Sequence, residues 1–189
     1  MAFNSDSVLK PTRADFYWAK TGTPKPADIF GAIPSPWDNM GHSSIEDILN
    51  VSTEGGEPTQ LGSLQNTSLR TSVSAAVRSF TVNFLQWDAP TLKMYYGANT
   101  EIAADGTVRV PEQPLPSEGA WLAVLSDGGA RGGFYAAKCS AIGDGDFSIS
   151  DTDSLAQLPI RFTPISVEGA AYAFEFLPIK RKAPAVVGG

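Results

Sequence analysis

The chain has 189 residues, 42% hydrophobic and 18% charged, enough to bury roughly 70% of its unfolded surface in a single-domain core and too apolar for a disordered acidic chain. Its formal net charge of −6 argues against gripping nucleic acid, which needs clustered Lys and Arg. One cysteine (Cys139) and one histidine (His42) exclude a disulfide framework, a multi-cysteine zinc site and a His-rich metal site.

In chain order, residues 1–40 are punctuated by Pro11, Pro24, Pro26, Pro34 and Pro36, with one strand-like piece at 16–19. The N-terminus lacks a basic stretch followed by an apolar run, and no stretch approaches 18 apolar residues. The expectation is a soluble chain with no membrane insertion. An irregular arm of this kind packs on its own domain or reaches a neighbour. Ser43 and Glu46 fit a capping box ahead of Ile45, Ile48 and Leu49, while 47–53 reads equally well as extended. Residues 54–58 read as a turn or loop tip.

Strands are predicted at 69–73 and 79–86, the second with Phe80, Val82 and Phe84 alternating against Thr81, Asn83 and Leu85. One helix is predicted over 88–97. Asp88 is its N-cap, Pro90 sits in the first turn, Leu92, Tyr95 and Tyr96 share a face, and Gly97 closes it. Strands return at 107–110, 121–125 and 131–142. The strand at 121–125 is apolar on both faces, so it is central or covered by a partner. Residues 158–166 and 171–177 are predicted to form a second hairpin around Val167-Glu168-Gly169. This order specifies a mainly β fold: a β-sandwich or barrel of two packed sheets with one flanking short helix.

Candidate chemistry is sparse. Asp38, His42 and Ser43 lie too close in sequence to converge as a triad. Asp144, Asp146, Asp151 and Asp153 do not follow a calcium-loop spacing and read as a solvated acidic hairpin. The glycines at 128–133 lead into a strand, unlike a phosphate loop, and read as a hairpin tip. Cys139 reads as a small buried hydrophobe. No catalytic residue, metal ligand or cofactor is assigned, and the chain is read as a non-enzyme. Aromatic residues in irregular regions, Trp18, Phe30 and Trp37, suggest a subunit that buries surface in an assembly.

The run from Trp37 through Asn39-Met40-Gly41-His42-Ser43-Ser44-Ile45 to Leu49, continuing to Arg70, resembles the N-terminal half of major tail tube proteins of long, flexible-tailed bacteriophages, most like those of phages infecting actinobacteria. The order strand 79–86, helix 88–97, then strands also matches, and the resemblance spans roughly residues 12–178. It implies one domain over 1–189, with arms at 1–15 and 178–189 and a long loop at 37–66 bridging subunits and rings. It implies a structural protein of the virion tail, assembled in the host bacterial cytoplasm. Such proteins self-assemble into stacked rings, usually hexameric, and form the conduit for the genome. Partners would be further copies of the chain and the tape-measure, tail-tip and tail-terminator proteins. Double-stranded DNA would pass through without specific binding. Interface residues on this view are Phe16, Trp18, Phe30, Trp37, His42, Ile45, Leu61, Trp121, Lys180 and Arg181. Lumen-facing acids would be Glu54, Glu57, Asp105 and Glu112, since a conduit should repel phosphate. The basic cluster at 180–182 is expected outside the channel, against acidic loops of an adjacent ring. Two alternatives have different consequences. A tube protein of a contractile secretion system would share the fold, and a β-sandwich binding module would stay monomeric.

Overall fold

The computed structural model describes residue 3 and residues 8–147, 149 and 152–182. The outermost parts of both expected arms (1, 2, 4–7 and 183–189) and Asp151 of the acidic group lie outside the described residues. The strands are β1 (Arg13–Ala19), β2 (Asp38–Asn39), β3 (Asn50–Gly55), β4 (Pro58–Leu61), β5 (Arg70–Val73) and β6 (Ala76–Phe84). After the helix α1 (Ala89–Tyr96) come β7 (Glu101–Ile102), β8 (Val108–Arg109), β9 (Ser117–Asp127), β10 (Ala130–Gly143), β11 (Leu158–Pro164) and β12 (Glu175–Arg181).

Eight strands make one antiparallel sheet in the order β2-β1-β9-β10-β11-β6-β3, with β12 added to β10. Strands far apart on that path touch through their side chains. Phe16 of β1 meets Phe84 of β6 edge-on at 6.0 Å, and Trp121 of β9 stacks on Phe162 of β11 at 5.0 Å. The sheet is therefore folded over into two packed layers and does not close into a barrel. One layer runs β2-β1-β9-β10-β12, and the other runs β10-β11-β6-β3.

The fold-over is written into β10. Ala136 pairs with Trp121, but Cys139 pairs with Gly119, so one extra residue is inserted opposite β9. A bulge bends the strand and shifts its alternation. Phe134 and Ala136 face the interlayer core before it, and Cys139 and Ala141 face the same core after it. Without the insertion the second pair would point away.

The predicted double-faced strand is real, and its cover comes from within the chain. On β9, Trp121 and Ala123 face the other layer, while Ala120, Leu122 and Val124 join Ala19, Trp37 and Tyr135 on the opposite face. Residues 20–37 lie over that second face. Gly22 N–H donates to the Ala137 carbonyl at 2.8 Å, and the Tyr135 hydroxyl donates to the Thr23 carbonyl at 2.8 Å. The Trp37 indole donates to the Pro24 carbonyl at 3.3 Å, and Arg131 donates to the carbonyls of Ile29 and Gly31.

Helix α1 is capped as its sequence predicts. The Asp88 carboxylate accepts from Thr91 N–H at 3.0 Å, and Gly97 N–H donates to the Lys93 carbonyl at 2.9 Å. Its inward face is Thr91, Met94 and Tyr95, rotated slightly from the expected Leu92, Tyr95 and Tyr96. No helix forms over 43–49. Ser43 bridges Phe84, the Ser44 hydroxyl accepts from Glu46 N–H at 3.2 Å, and the chain continues into β3.

Two hairpin expectations change. Only Gly128 and Gly129 form the β9–β10 turn, and Gly132 and Gly133 lie inside β10. A Cβ on Gly133 would sit 1.8 Å from the Ala123 carbonyl oxygen, so the ladder needs its absence. Residues 167–170 do turn, but β12 crosses to the other layer and pairs with β10 instead of β11. Phe174 then packs on Phe80 at 5.3 Å, and Phe176 packs on Phe134 at 5.1 Å.

Two consequences are measurable. Gly133→Ala should cost about 3 kcal/mol in urea unfolding, the upper range for forcing atoms into a packed site. A midpoint indistinguishable from wild type would contradict this register. Asp144, just past β10, binds Thr81 of β6 and Arg161 of β11. Burial opposes its charge, but bonds from Thr81 (2.6 Å) and Arg161 and the Arg161 charge outweigh it and hold the carboxyl below its ordinary range. Stability from this site is present above the ordinary aspartate pKa of about 3.9 and falls as pH drops below it. Asp144→Asn should flatten that part of the stability–pH curve.

Candidate functional site

From residue 50 the chain runs out from the edge of the second layer and returns along β6. β3 pairs with β6 from Asn50↔Thr81 to Gly55↔Ala76, and β4 then pairs with β5 from Pro58↔Val73 to Leu61↔Arg70. Together they make one long two-stranded ribbon with a break between the ladders. Gly55 (φ 74°) and Gly56 (φ 77°) supply that break, because other residues rarely adopt such backbone angles. The ribbon is fastened near its base by the Ser52 and Ser79 hydroxyls at 2.7 Å. Its tip is a tight turn in which Ser63 and Asn66 exchange backbone bonds.

Every residue from 57 to 78 is exposed. Val51, Leu61, Leu64, Leu69, Val73 and Val77 are exposed apolar side chains, with Leu64 at 101%. A two-stranded ribbon is marginal in water on its own, and its backbone edges are open to pairing. This concentration of apolar side chains on an arm of Ser, Thr, Gln and Asn is the chain's clearest unmet demand for a partner.

The sandwich carries further open edges. β12 pairs only with β10, and β2 covers β1 only at Tyr17 and Trp18, which leaves residues 13–15 open. The four strands β1-β9-β10-β12 alternate in direction throughout.

The residues predicted for an interface divide between core and surface. Phe16 and Trp121 are wholly buried between the layers, and Trp37 is buried under its own covering segment. These three are core residues of a single copy, because the 20–37 cover and the second layer take the faces that a neighbour was expected to take. Phe30 is half-buried in that cover. Trp18 is half-buried, tilted on Phe162 at 6.0 Å. His42, Ile45 and Leu61 are exposed, and Ile45 retains 92% of its accessible surface. His42 is held by its backbone, which donates to the Gln86 amide oxygen at 2.6 Å and accepts from Leu85 N–H at 2.9 Å. Lys180 and Arg181 are exposed at the end of β12.

All four predicted acids are exposed, but they are not gathered. Glu54 and Glu57 ride on the ribbon, whereas Asp105 lies in the β7–β8 turn, accepting from Thr107 N–H at 3.0 Å, and Glu112 lies between β8 and β9. The Cys139 thiol is buried, and burial pushes its pKa up, which keeps it protonated and inert. Asp144 of the acidic hairpin is engaged by Thr81 and Arg161.

The expected loop at 37–66 is thus partly strand, and the arm extends past it to residue 78. The signal for this was present: leucines at 61, 64 and 69 in a segment where Arg70 is the single charged residue from 58 to 77. Among the described residues no helix is long and apolar enough to cross a membrane.

No curated protein sequence matches the chain. A family model described as phage tail tube protein matches residues 1–186, nearly the whole length, and the two-layered β fold with one helix agrees with the architecture that the sequence resemblance implied. The chain belongs to the phage tail tube protein family, structural components of the virion tail.

Proposed function

We propose that copies of this chain close into rings, hexameric as is usual for the resemblance noted above, and that the rings stack into a hollow tube. Double-stranded DNA passes through the tube from the particle into the host without specific binding. The observation that carries this reading is the ribbon of residues 50–78, whose apolar side chains and open edges nothing among the described residues covers. In a tube it lies against a neighbouring copy, and its apolar side chains become interface.

The edges of the first layer support ring closure. With β1 at one side and β12 at the other, β12 of one copy beside β1 of the next continues the antiparallel alternation. Each junction is then like every other, and a heterologous contact of this kind closes when the rotation per copy divides a full turn. Closure also removes the free edges that would otherwise invite aggregation.

The acidic balance suits a conduit, because a wall that repels phosphate lets DNA slide. Asp105 and Glu112 on the body, and Glu54 and Glu57 wherever the ribbon carries them, are the proposed lumen-facing acids. Lys180, Arg181 and Lys182 are assigned outside the channel, towards acidic loops of an adjacent ring. Ile45, His42 and Trp18 are assigned to contacts between copies. Tail-tip, terminator and tape-measure proteins would meet the same ring faces and bore at the ends and inside of the tube. Assembly takes place in the host cytoplasm, and the chain has no catalytic role.

The test is assembly followed by negative-stain electron microscopy over a concentration series, with a variant in which residues 56–75 are replaced by a two-residue turn. Wild type should form rings or tubes. The shortened variant should melt within a few degrees of wild type, since residues 57–75 are exposed throughout, yet remain monomeric. A monodisperse wild-type monomer at every concentration would favour a binding module instead. Tubes formed by the shortened variant would remove the ribbon from the assembly.

A further inference from the structure

A groove opens beside α1 and β2, with a volume of about 370 Å³. Its apolar lining is Trp18, Met40, Pro90 and Met94, and its charged groups are the carboxylates of Asp38 and Asp88. No Lys, Arg or His lines it. Trp18, Met40 and Met94 are only half-buried, so the groove presents indole and thioether surface to solvent. Methionine-lined surfaces adapt readily to an incoming aliphatic side chain. Asp88 is held ionised: burial opposes its charge, but bonds from Thr91 and Gln86 outweigh this.

The tip of the ribbon is the complement of this groove. It carries Leu61, Leu64 and Leu69, all exposed. Arg70 sits directly across from Leu61 in the ladder and is the only charged residue between 58 and 77. Arg70 makes no ion pair among the described residues, and neither does Asp38. The tip thus offers leucines flanked by one cation. The groove offers apolar walls flanked by two anions.

A chain cannot fill its own groove this way. The groove lies near the base of the ribbon, where Ser43 bridges Phe84 and Gly41 lines the cavity. The paired strands from Asn50 to Leu61 hold the tip roughly 40 Å out at about 3.4 Å per residue.

We propose that the ribbon tip of one copy docks in the α1–β2 groove of another copy, with Leu64 between Trp18 and Met94 and Arg70 facing Asp38 and Asp88. This rests on the tube reading above and specifies which surface of the neighbour receives the ribbon. Electrostatic complementarity sets the register, and apolar burial supplies the hold.

The experiment mixes two single-cysteine additions, Leu64→Cys in one batch of chains and Met94→Cys in another. The mixture is assembled under wild-type conditions and treated with a mild oxidant. The native Cys139 is buried and does not compete. The expected result is a disulfide-linked dimer that forms only in the mixture and only in the assembled state. In parallel, Arg70→Glu and Asp38→Lys should each lower tube yield several-fold without changing the melting temperature, because both side chains are exposed. The double reversal in one chain should restore the yield. Wild-type tubes that give no crosslink and no rescue would overturn the groove assignment while leaving the tube function standing. A wild-type protein that never assembles would overturn both.

Discussion

The fold depends on one indole. Trp121 stacks on Phe162 at 5.0 Å and 12°, lies nearly parallel to Phe16 at 6.4 Å, and meets Phe80 at 5.1 Å. Those partners come from β11, β1 and β6, so a single side chain ties both layers together. Among the described residues its N–H finds no hydrogen-bond partner, a cost of about 1–3 kcal/mol for a buried donor. Packing on three aromatic rings outweighs that cost. The geometry is possible because the bulge in β10 brings Cys139 and Ala141 to the same side as Ala136, so the second layer can close over the indole.

Much of this body was legible in the sequence, and the reasons are local. Alternation across Phe80, Val82 and Phe84 marked β6, and Asp88 with Gly97 marked both ends of α1. The apolar run around Trp121 marked the central strand. What alternation cannot tell is which element covers a buried face. The second face of β9 called for cover, and either residues 20–37 or a neighbouring copy could have met that need. The sequence therefore allows Trp37 at an interface, whereas it belongs to the chain's own core. The same ambiguity hid the crossing of β12, because strands at 158–166 and 171–177 look like a hairpin until β10 is seen to offer a free edge in the other layer.

The ribbon was hard to read for the opposite reason. Periodicity arises when one face of a strand is buried within the chain, and nothing among the described residues buries either face of residues 57–78. Its Ser, Thr and Asn residues and its glycine break look like loop chemistry. The exposed leucines carried the signal, together with a resemblance to tail tube proteins that spans this segment. The chain is thus divided into a body built around an apolar core and an arm whose apolar side chains all stay exposed. In the proposed tube, the arm is the part left for contacts between copies.

The buried cysteine bears on durability outside the cell. Thiols stay reduced in a reducing compartment and oxidise in aerated surroundings. An exposed thiol on each of many packed copies would invite covalent bridges between them, locking some junctions and straining others. With its one thiol sealed between β9 and β11, the chain presents no reactive thiol to oxidise, so a tube built as proposed would keep the same covalent structure before and after release.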